Sequence, residues 1–247
     1  MDISKSYKIF GIILVVASTI IYFLHYLIFH DPHHIFIFLV SDIAFVPIEV
    51  LLVTMILHKL LSDMERSKRL EKLNMVIGVF FSEVGTKLLA FFSDADPGLE
   101  NVRNRLIVRK DWTDEDFEEI TAFLSNYEYS VNIGNVSLVF LRDFLRKHRS
   151  FMAGLLENPS LLEHESFTGL LRAVFHLMEE LVSRADLEDL PESDLDHLAL
   201  DIERAYSRLV IEWLAYMKYL KHNHPYLFSL AMRTNPFDTK SSAVVHS

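Results

Sequence analysis

The sequence predicts an all-α integral membrane protein: a hairpin of two transmembrane helices followed by a cytoplasmic helical bundle, with several copies forming a symmetric homo-oligomer. Apolar residues make up 51% of the 247 residues and charged residues 23%, and most of the apolar excess lies near the N-terminus. Only 7 glycines and 7 prolines occur, so long stretches run without a helix breaker. No stretch shows the strict apolar–polar alternation of a half-buried strand.

Composition excludes several classes of function. The formal net charge of −10 argues against nucleic-acid binding, which needs a basic surface. Because the chain has no cysteine, disulfides, thiolate catalysis and cysteine-based zinc sites are excluded. The sequence also lacks the motifs GxxxxGK[ST], GxGxxG, GxSxG and HExxH, so kinase, ATPase, dinucleotide-binding and common hydrolase activities have no support.

Two apolar runs predict the transmembrane helices. Residues 7–29 are 23 positions in which Lys8, near the start, is the single residue among Asp, Glu, Lys and Arg, and at about 1.5 Å per residue they span the roughly 30 Å core of a bilayer. This run is longer than the apolar region of a cleaved signal peptide, and no small-residue cleavage site follows it. After a polar turn at residues 30–34, residues 35–57 form a second run of equal length, so residues 1–58 are predicted to form a hairpin.

Lysine and arginine residues predict the orientation of this hairpin. Lys5 precedes the first run and Lys8 lies at its start, and the turn between the runs has neither lysine nor arginine. Five more follow the second run: Lys59, Arg66, Lys68, Arg69 and Lys72. Because positively charged residues stay on the cytoplasmic side, we expect a multi-pass protein of the plasma (inner) membrane with both termini in the cytoplasm.

Residues 59–92 are predicted to form a juxtamembrane helix that continues from the second span. Part of it, residues 73–92, is apolar enough for a third span. However, Glu83 and Lys87 have the i,i+4 spacing of a surface ion pair, and a third span would carry the basic residues that follow to the outside. The juxtamembrane helix is therefore favoured, and the third span is the alternative.

Residues 93–237 are predicted to form the cytoplasmic helical domain, divided by breaker and capping signals. Its helices are predicted over 99–108, 113–125, 136–157, 160–185, 195–222 and 225–233. Thr113 with Asp116 resembles a capping box at the start of one of these helices, and Ser160 is the predicted cap of another. Residues 238–247 are polar and are predicted to be a disordered tail.

The second span carries Asp42 and Glu49, which are seven residues apart and therefore face one side of a helix. A charge at mid-bilayer costs at least about 2.5–3.5 kcal/mol, so such residues need water or partners. Ser41 and Thr54 add hydroxyls, and Pro47 frees a backbone carbonyl. Packed in an oligomer, the acids would form rings lining a cation pathway. The alternative is that the carboxyls only hold helices together through hydrogen bonds.

The turn between the spans contains His30, Asp31, His33 and His34. Imidazole and carboxylate ligands suit zinc, copper or nickel, and histidines also titrate near neutral pH. The turn is therefore a candidate metal site or pH sensor, although Pro32 restricts how its side chains converge.

Two polar clusters are predicted in the cytoplasmic domain. The first consists of Glu165, His176 and Glu180 on one helix, with His197, Asp201 and Glu203 on a later helix. It lacks the paired Glu-x-x-His motifs of di-iron bundles, and the apolar residues of its helix lie on the opposite face, so a solvated surface is favoured over a metal site.

The second cluster consists of Arg142, Arg146 and Arg149, a row that suits an anionic lipid head group or a phosphate. Pairing with neighbouring acids is its alternative.

These features predict a cation-permeable homo-oligomeric channel, with the second span lining the pore and the helical domain gating or assembling it. A membrane-anchored sensor or scaffold without conductance is the alternative, and a metal-dependent membrane enzyme that uses His176 is a third hypothesis. The expected partners are copies of the chain, the lipid bilayer and, for a channel, cations, but not nucleic acid. No cofactor is expected apart from a metal ion at one of these clusters.

Overall fold

The computed structural model describes residues 3–162 and 164–244, and every regular element in these ranges is helical. No strand occurs there, so the all-α prediction is confirmed. The chain divides into two compact units, Met1–Arg66 and Ser67–Ser247. The boundary between them falls within one helix.

The first unit consists of helix α1, Ile3–Phe29, and the first part of helix α2, Pro32–Phe80. Both helices are long and apolar enough to cross a membrane by length and composition. Their apolar side chains are exposed along the whole unit, so this surface has no protein partner among the described residues. At the turn, His30 adopts a positive φ of 54°, and the Asp31 carboxylate accepts hydrogen bonds from the backbone N–H groups of His33 and His34.

The last turns of α2 belong to the second unit. They continue into a π-helical segment, Phe81–Gly85, and helix α3, Thr86–Ser93. From Leu73 onward, apolar side chains of this stretch are buried in the core of the unit. Burial in a protein core therefore accounts for the apolar character of residues 73–92.

The remaining helices are α4 Asp114–Ser125, α5 Leu138–Lys147, α6 Arg149–Leu156, α7 Pro159–Leu162, α8 Glu165–Ser183, α9 Glu192–Asn223 and α10 Pro225–Arg233. The predicted capping box is confirmed, because the Thr113 hydroxyl accepts from the Asp116 N–H and the Asp116 carboxylate accepts from the Thr113 N–H. Helix α8 begins at His164, whose Nδ1 accepts from the Phe167 N–H. The side chain of Ser160, the predicted cap, lies outside the described residues.

Three predicted helices differ from the structure. The predicted helix over 160–185 is divided into α7, Pro159–Leu162, and α8, Glu165–Ser183. The predicted helix over 99–108 consists of two short 3₁₀ turns, Leu99–Asn101 and Arg103–Leu106. The predicted helix over 136–157 is broken at His148, where α5 ends and α6 follows. The His148 ring nitrogen Nδ1 lies 2.8 Å from the Phe144 carbonyl oxygen, while the His148 N–H donates to Leu145 instead. In a continuous helix the Phe144 carbonyl would accept from the His148 N–H. Here the His148 side chain occupies that carbonyl, and the helix is interrupted.

The core of the second unit forms around α8 and α9, which pack along each other. Helices α5 and α6 pack on α8, whereas α4 and α10 pack on α9. The apolar face predicted for α8 is buried, namely Phe167, Leu170, Leu171, Val174, Leu177, Met178 and Leu181. Since this face points inward, the polar residues of α8 lie on its outer side.

Candidate metal centre

Helices α8 and α9 each present a histidine followed four residues later by a carboxylate. On α8 these are His176 and Glu180, and on α9 they are His197 and Asp201. An i,i+4 spacing puts both members of each pair on one helix face. The helices run antiparallel, because His176 contacts Asp201 while Glu180 contacts His197. Four ligand-type side chains therefore meet at one place.

The distances within this cluster are similar to one another. The His176 Nε2 atom lies 3.4 Å from Asp201 Oδ2 and 3.8 Å from Glu180 Oε1. The His197 Nε2 atom lies 3.5 Å from Asp201 Oδ2 and 3.6 Å from Glu180 Oε2. Ligand atoms of Glu180, His197 and Asp201 all lie within 4.8 Å of one another, so both carboxylates face both imidazoles.

These distances fit metal ligands better than direct ion pairs. A charged imidazole hydrogen-bonded to a carboxylate lies at about 2.7–2.9 Å. Zinc instead binds imidazole nitrogen and carboxylate oxygen at about 2.0–2.2 Å, and two ligands of a tetrahedron with that radius are about 3.4 Å apart. The observed separations of 3.4–3.8 Å are close to that edge length. The donor set of two imidazoles and two carboxylates is also one that zinc accepts.

The buried carboxylate of Asp201 supports this interpretation independently. Its side chain is 2% exposed, and its Oδ2 atom has no hydrogen-bond partner. Asp96, another buried acid, shows the usual pattern: its carboxylate accepts from the Gly98 N–H and from the Tyr127 hydroxyl. An unpartnered buried acceptor costs about 1–3 kcal/mol, and a metal ion between Asp201 and the histidines would remove this cost.

Two arginines orient the two carboxylates of the cluster through hydrogen bonds. Arg204 Nη1 donates to the other oxygen of Asp201, Oδ1, at 2.7 Å. Arg184 Nη1 donates to Glu180 Oε2 at 2.9 Å, and Arg184 also forms a bidentate pair with Asp194. The Arg184 hydrogen bond lowers the pKa of Glu180 below its usual value, so Glu180 keeps the ionised form that a metal needs. Such outer partners commonly fix the ligands of metal sites.

The histidines give the cluster access to solvent. Their side chains are 47% exposed for His176 and 50% for His197, so an ion can enter from outside the domain. Glu180, His197 and Asp201 form a compact group of three ligands, and His176, whose Nε2 atom lies 3.4 Å from Asp201 Oδ2, is the candidate for the fourth position. With His176 the set would be closed, which suits binding and structural roles better than catalysis, because catalysis needs an open position.

The other predicted site residues lie elsewhere. Glu165 is exposed at the first position of α8, about 16 Å from His176 along the helix, and is not part of the cluster. Arg142 pairs with Asp143, and Arg149 lies over the Phe175 ring. The third arginine of that row, Arg146, is exposed.

In the first unit, the Tyr22 hydroxyl donates to Asp42 Oδ2 at 3.4 Å. The side chain of Glu49 is exposed and has no partner among the described residues, and Ser41, Pro47 and Thr54 are exposed on the same helix. In the turn, Asp31 acts as a helix cap, and within the described ranges it does not form a ligand group with His30, His33 and His34.

Two sequence families match the chain. Residues 69–233 match a family described as the uncharacterized protein MJ1433, C-terminal helical domain, and residues 2–61 match its N-terminal helical domain. The chain is 48% identical over 241 residues to the uncharacterized protein MJ1433 of Methanocaldococcus jannaschii, covering 98% of this chain and 97% of that protein. The chain belongs to the MJ1433 family. No solved structure matches it.

The sequence places His176 and Glu180 on one helix and His197 and Asp201 on a later helix, but it favours a solvated surface over a metal site. It does not predict the roles of Arg184 and Arg204 in this MJ1433 family member. One sequence feature indicates the centre: the same histidine–carboxylate spacing of four residues occurs on two successive helices. When two such helices pack antiparallel in register, the two pairs face each other.

Proposed function

We propose that this protein is a membrane-anchored helical sensor that binds a divalent transition-metal ion, with zinc the best chemical match, through His176, Glu180, His197 and Asp201. The observation that carries the proposal is the buried, unpartnered Asp201 Oδ2 atom, which faces both imidazole Nε2 atoms. Binding would tie α8 to α9. With His176 as the fourth ligand the set would be closed, and this favours the sensor over the metal-dependent enzyme.

The anchor in this proposal is the pair of N-terminal helices. Support comes from the exposure of their apolar side chains in every direction around each helix, which is stable in lipid but not in water. The distribution of lysine and arginine favours an orientation with both termini in the cytoplasm. In that orientation the metal centre would bind metal ions from the cytoplasm.

Zinc titration calorimetry of the full chain in lipid nanodiscs tests the proposed metal site. We expect one zinc ion per chain, and we expect His197→Ala to weaken binding at least tenfold because it removes one of four ligands. The control is Glu165→Gln, an exposed change on α8 outside the cluster, which should leave binding unchanged. Absence of zinc binding to the wild type, or equal binding by His197→Ala, would contradict the proposal.

A cation-permeable homo-oligomeric channel is the second candidate function. It is favoured by one observation: Glu49 is an exposed acid in an apolar surface and lacks a partner among the described residues, so it needs water or another copy. We expect a channel to conduct in a planar bilayer and Glu49→Gln to change its cation selectivity. If the wild type does not conduct over a range of voltage, pH and divalent ions, the channel is ruled out under those conditions and the hairpin is an anchor.

A further inference from the structure

A second cavity lies in the helical domain and shares no residue with the metal centre. It forms where the last turns of α2, the π-helical segment, α9 and α10 come together, and its volume is about 470 Å³. Pockets for small molecules commonly measure about 300–1,000 Å³. Its wall is mostly apolar and aromatic, with Met75, Val79, Trp213, Tyr216, Leu230 and Ala231 among its residues. We call it the apolar groove.

A polar chamber of about 420 Å³ adjoins the apolar groove. The two share Asn74, Tyr219 and His224 in their walls. The chamber is otherwise lined mainly by polar side chains, including Glu71 and Asn223. These shared residues place the apolar groove directly beside the polar chamber, and we call the pair the cavity.

The shared wall has a defined arrangement of polar groups. The Tyr219 hydroxyl lies 3.2 Å from His224 Nε2, and the Asn74 side chain donates to the Leu70 carbonyl at 2.9 Å. Glu71 is the acidic group of the chamber, and its carboxylate forms no ion pair within the described part of the chain. Its side chain is exposed, so a head group with hydroxyl or ammonium donors could replace the water around it, whereas a second anion would be repelled.

The groove is bordered by structural features that are common at binding sites. Phe81 and Ser82 of the π-helical segment line it, and π-helical insertions often occur at functional sites. Its rim on α10 is apolar and exposed: Tyr226 is 71% exposed, and Leu227 and Leu230 are also exposed. Tyrosine with an apolar neighbourhood is typical of a membrane–water boundary.

We propose that this cavity binds one single-chain amphiphile, with its alkyl chain in the apolar groove and a hydroxyl- or amine-bearing head group beside Glu71. A peptide helix or a second copy of the chain could cover the apolar groove but would make no use of the polar chamber beside it. The amphiphile satisfies both ends of the cavity. Because no metal ligand lines either part, this inference does not depend on zinc binding.

Photolabelling of the full chain in lipid nanodiscs tests the inference. The probe is an alkylglycerol with a diazirine in its chain, and mass spectrometry locates the labelled residues. We expect labels on groove residues such as Met75 and Leu230. Ala231→Trp and, from the opposite wall, Val79→Trp should each reduce this labelling several-fold because they fill the groove. The matched control is Leu200→Trp, an exposed residue of α9 outside the cavity, which should leave labelling unchanged.

The head group is tested with the same alkyl chain carrying an amine or a carboxylate. We expect the glycerol and amine probes to label the groove more strongly than the carboxylate probe, and Glu71→Gln to remove this difference. Groove labelling that persists in both tryptophan variants would overturn the inference. So would a preference for the carboxylate probe, or cross-links through α10 that join two chains in place of probe labelling.

Discussion

Asp201 is held at its Oδ1 atom by Arg204, and its Oδ2 atom faces two histidines without accepting a hydrogen bond. A protein core normally satisfies its buried polar atoms, as this domain does for Asp96, although the hydroxyls of Tyr129 and Tyr206 also lack a hydrogen-bond partner. A residue that departs from this rule beside two imidazoles is a candidate for function, since stability alone does not favour it. Its role in metal binding can be separated from its role in folding.

Asp201→Asn should separate these roles. In metal-free protein the variant should melt at the wild-type temperature or above it, because the amide replaces a buried charge and its NH₂ group can donate to a histidine. Zinc at 100 times its Kd should stabilise the wild type by about 2.7 kcal/mol and should stabilise the variant much less. Thermal melts of the full chain with chelator and with zinc measure both effects. Equal zinc-induced shifts in the two proteins would contradict the role of Asp201.

At the scale of helices, the metal centre depends on the register between α8 and α9. Each histidine–carboxylate pair is visible in the sequence, because i,i+4 residues share a face. Their meeting is not visible, because it depends on the connection after Ser183 and on the bidentate contact between Arg184 and Asp194. If α9 were shifted by one helical turn along α8, the four side chains would be separate, solvated surface residues. The sequence alone favours that arrangement.

The N-terminus of α4 gives a prediction about pH. The hydrogen bond from the Thr113 N–H lowers the pKa of Asp116, and the hydrogen bond with His222 lowers the pKa of Asp114, each from an ordinary value of 3.8. A lowered pKa in the folded state means that the stabilisation is present above about pH 4 and is lost as pH falls through the folded pKa. The double variant Asp114→Asn, Asp116→Asn should therefore lose less stability on acidification than the wild type.

Thermal midpoints of the metal-free chain between about pH 5 and 2 test this slope. Glu115→Gln is the matched control, because Glu115 is an exposed acid on the same turn without a partner among the described residues. If the double variant and the wild type lose stability in parallel, the capping contacts do not contribute through ionisation.

For the whole molecule, hydropathy predicts a boundary after the second apolar run. The sequence places the end of the hairpin at residue 58, the structural units meet at Arg66 and Ser67, and the family matches end at 61 and resume at 69. What hydropathy does not predict is that the apolar stretch from Leu73 packs into the core of the helical domain. A buried helix and a membrane helix have the same composition, so tertiary packing decides between them.

Zinc K-edge X-ray absorption of the zinc-loaded full chain tests the central claim most directly. We expect four nitrogen and oxygen ligands at about 2.0–2.2 Å with the outer-shell scattering of two imidazole rings, and we expect the imidazole signal to fall by half in His197→Ala. A six-coordinate oxygen environment without imidazole scattering, or the same spectrum from wild type and variant, would contradict the assignment of the metal centre to α8 and α9.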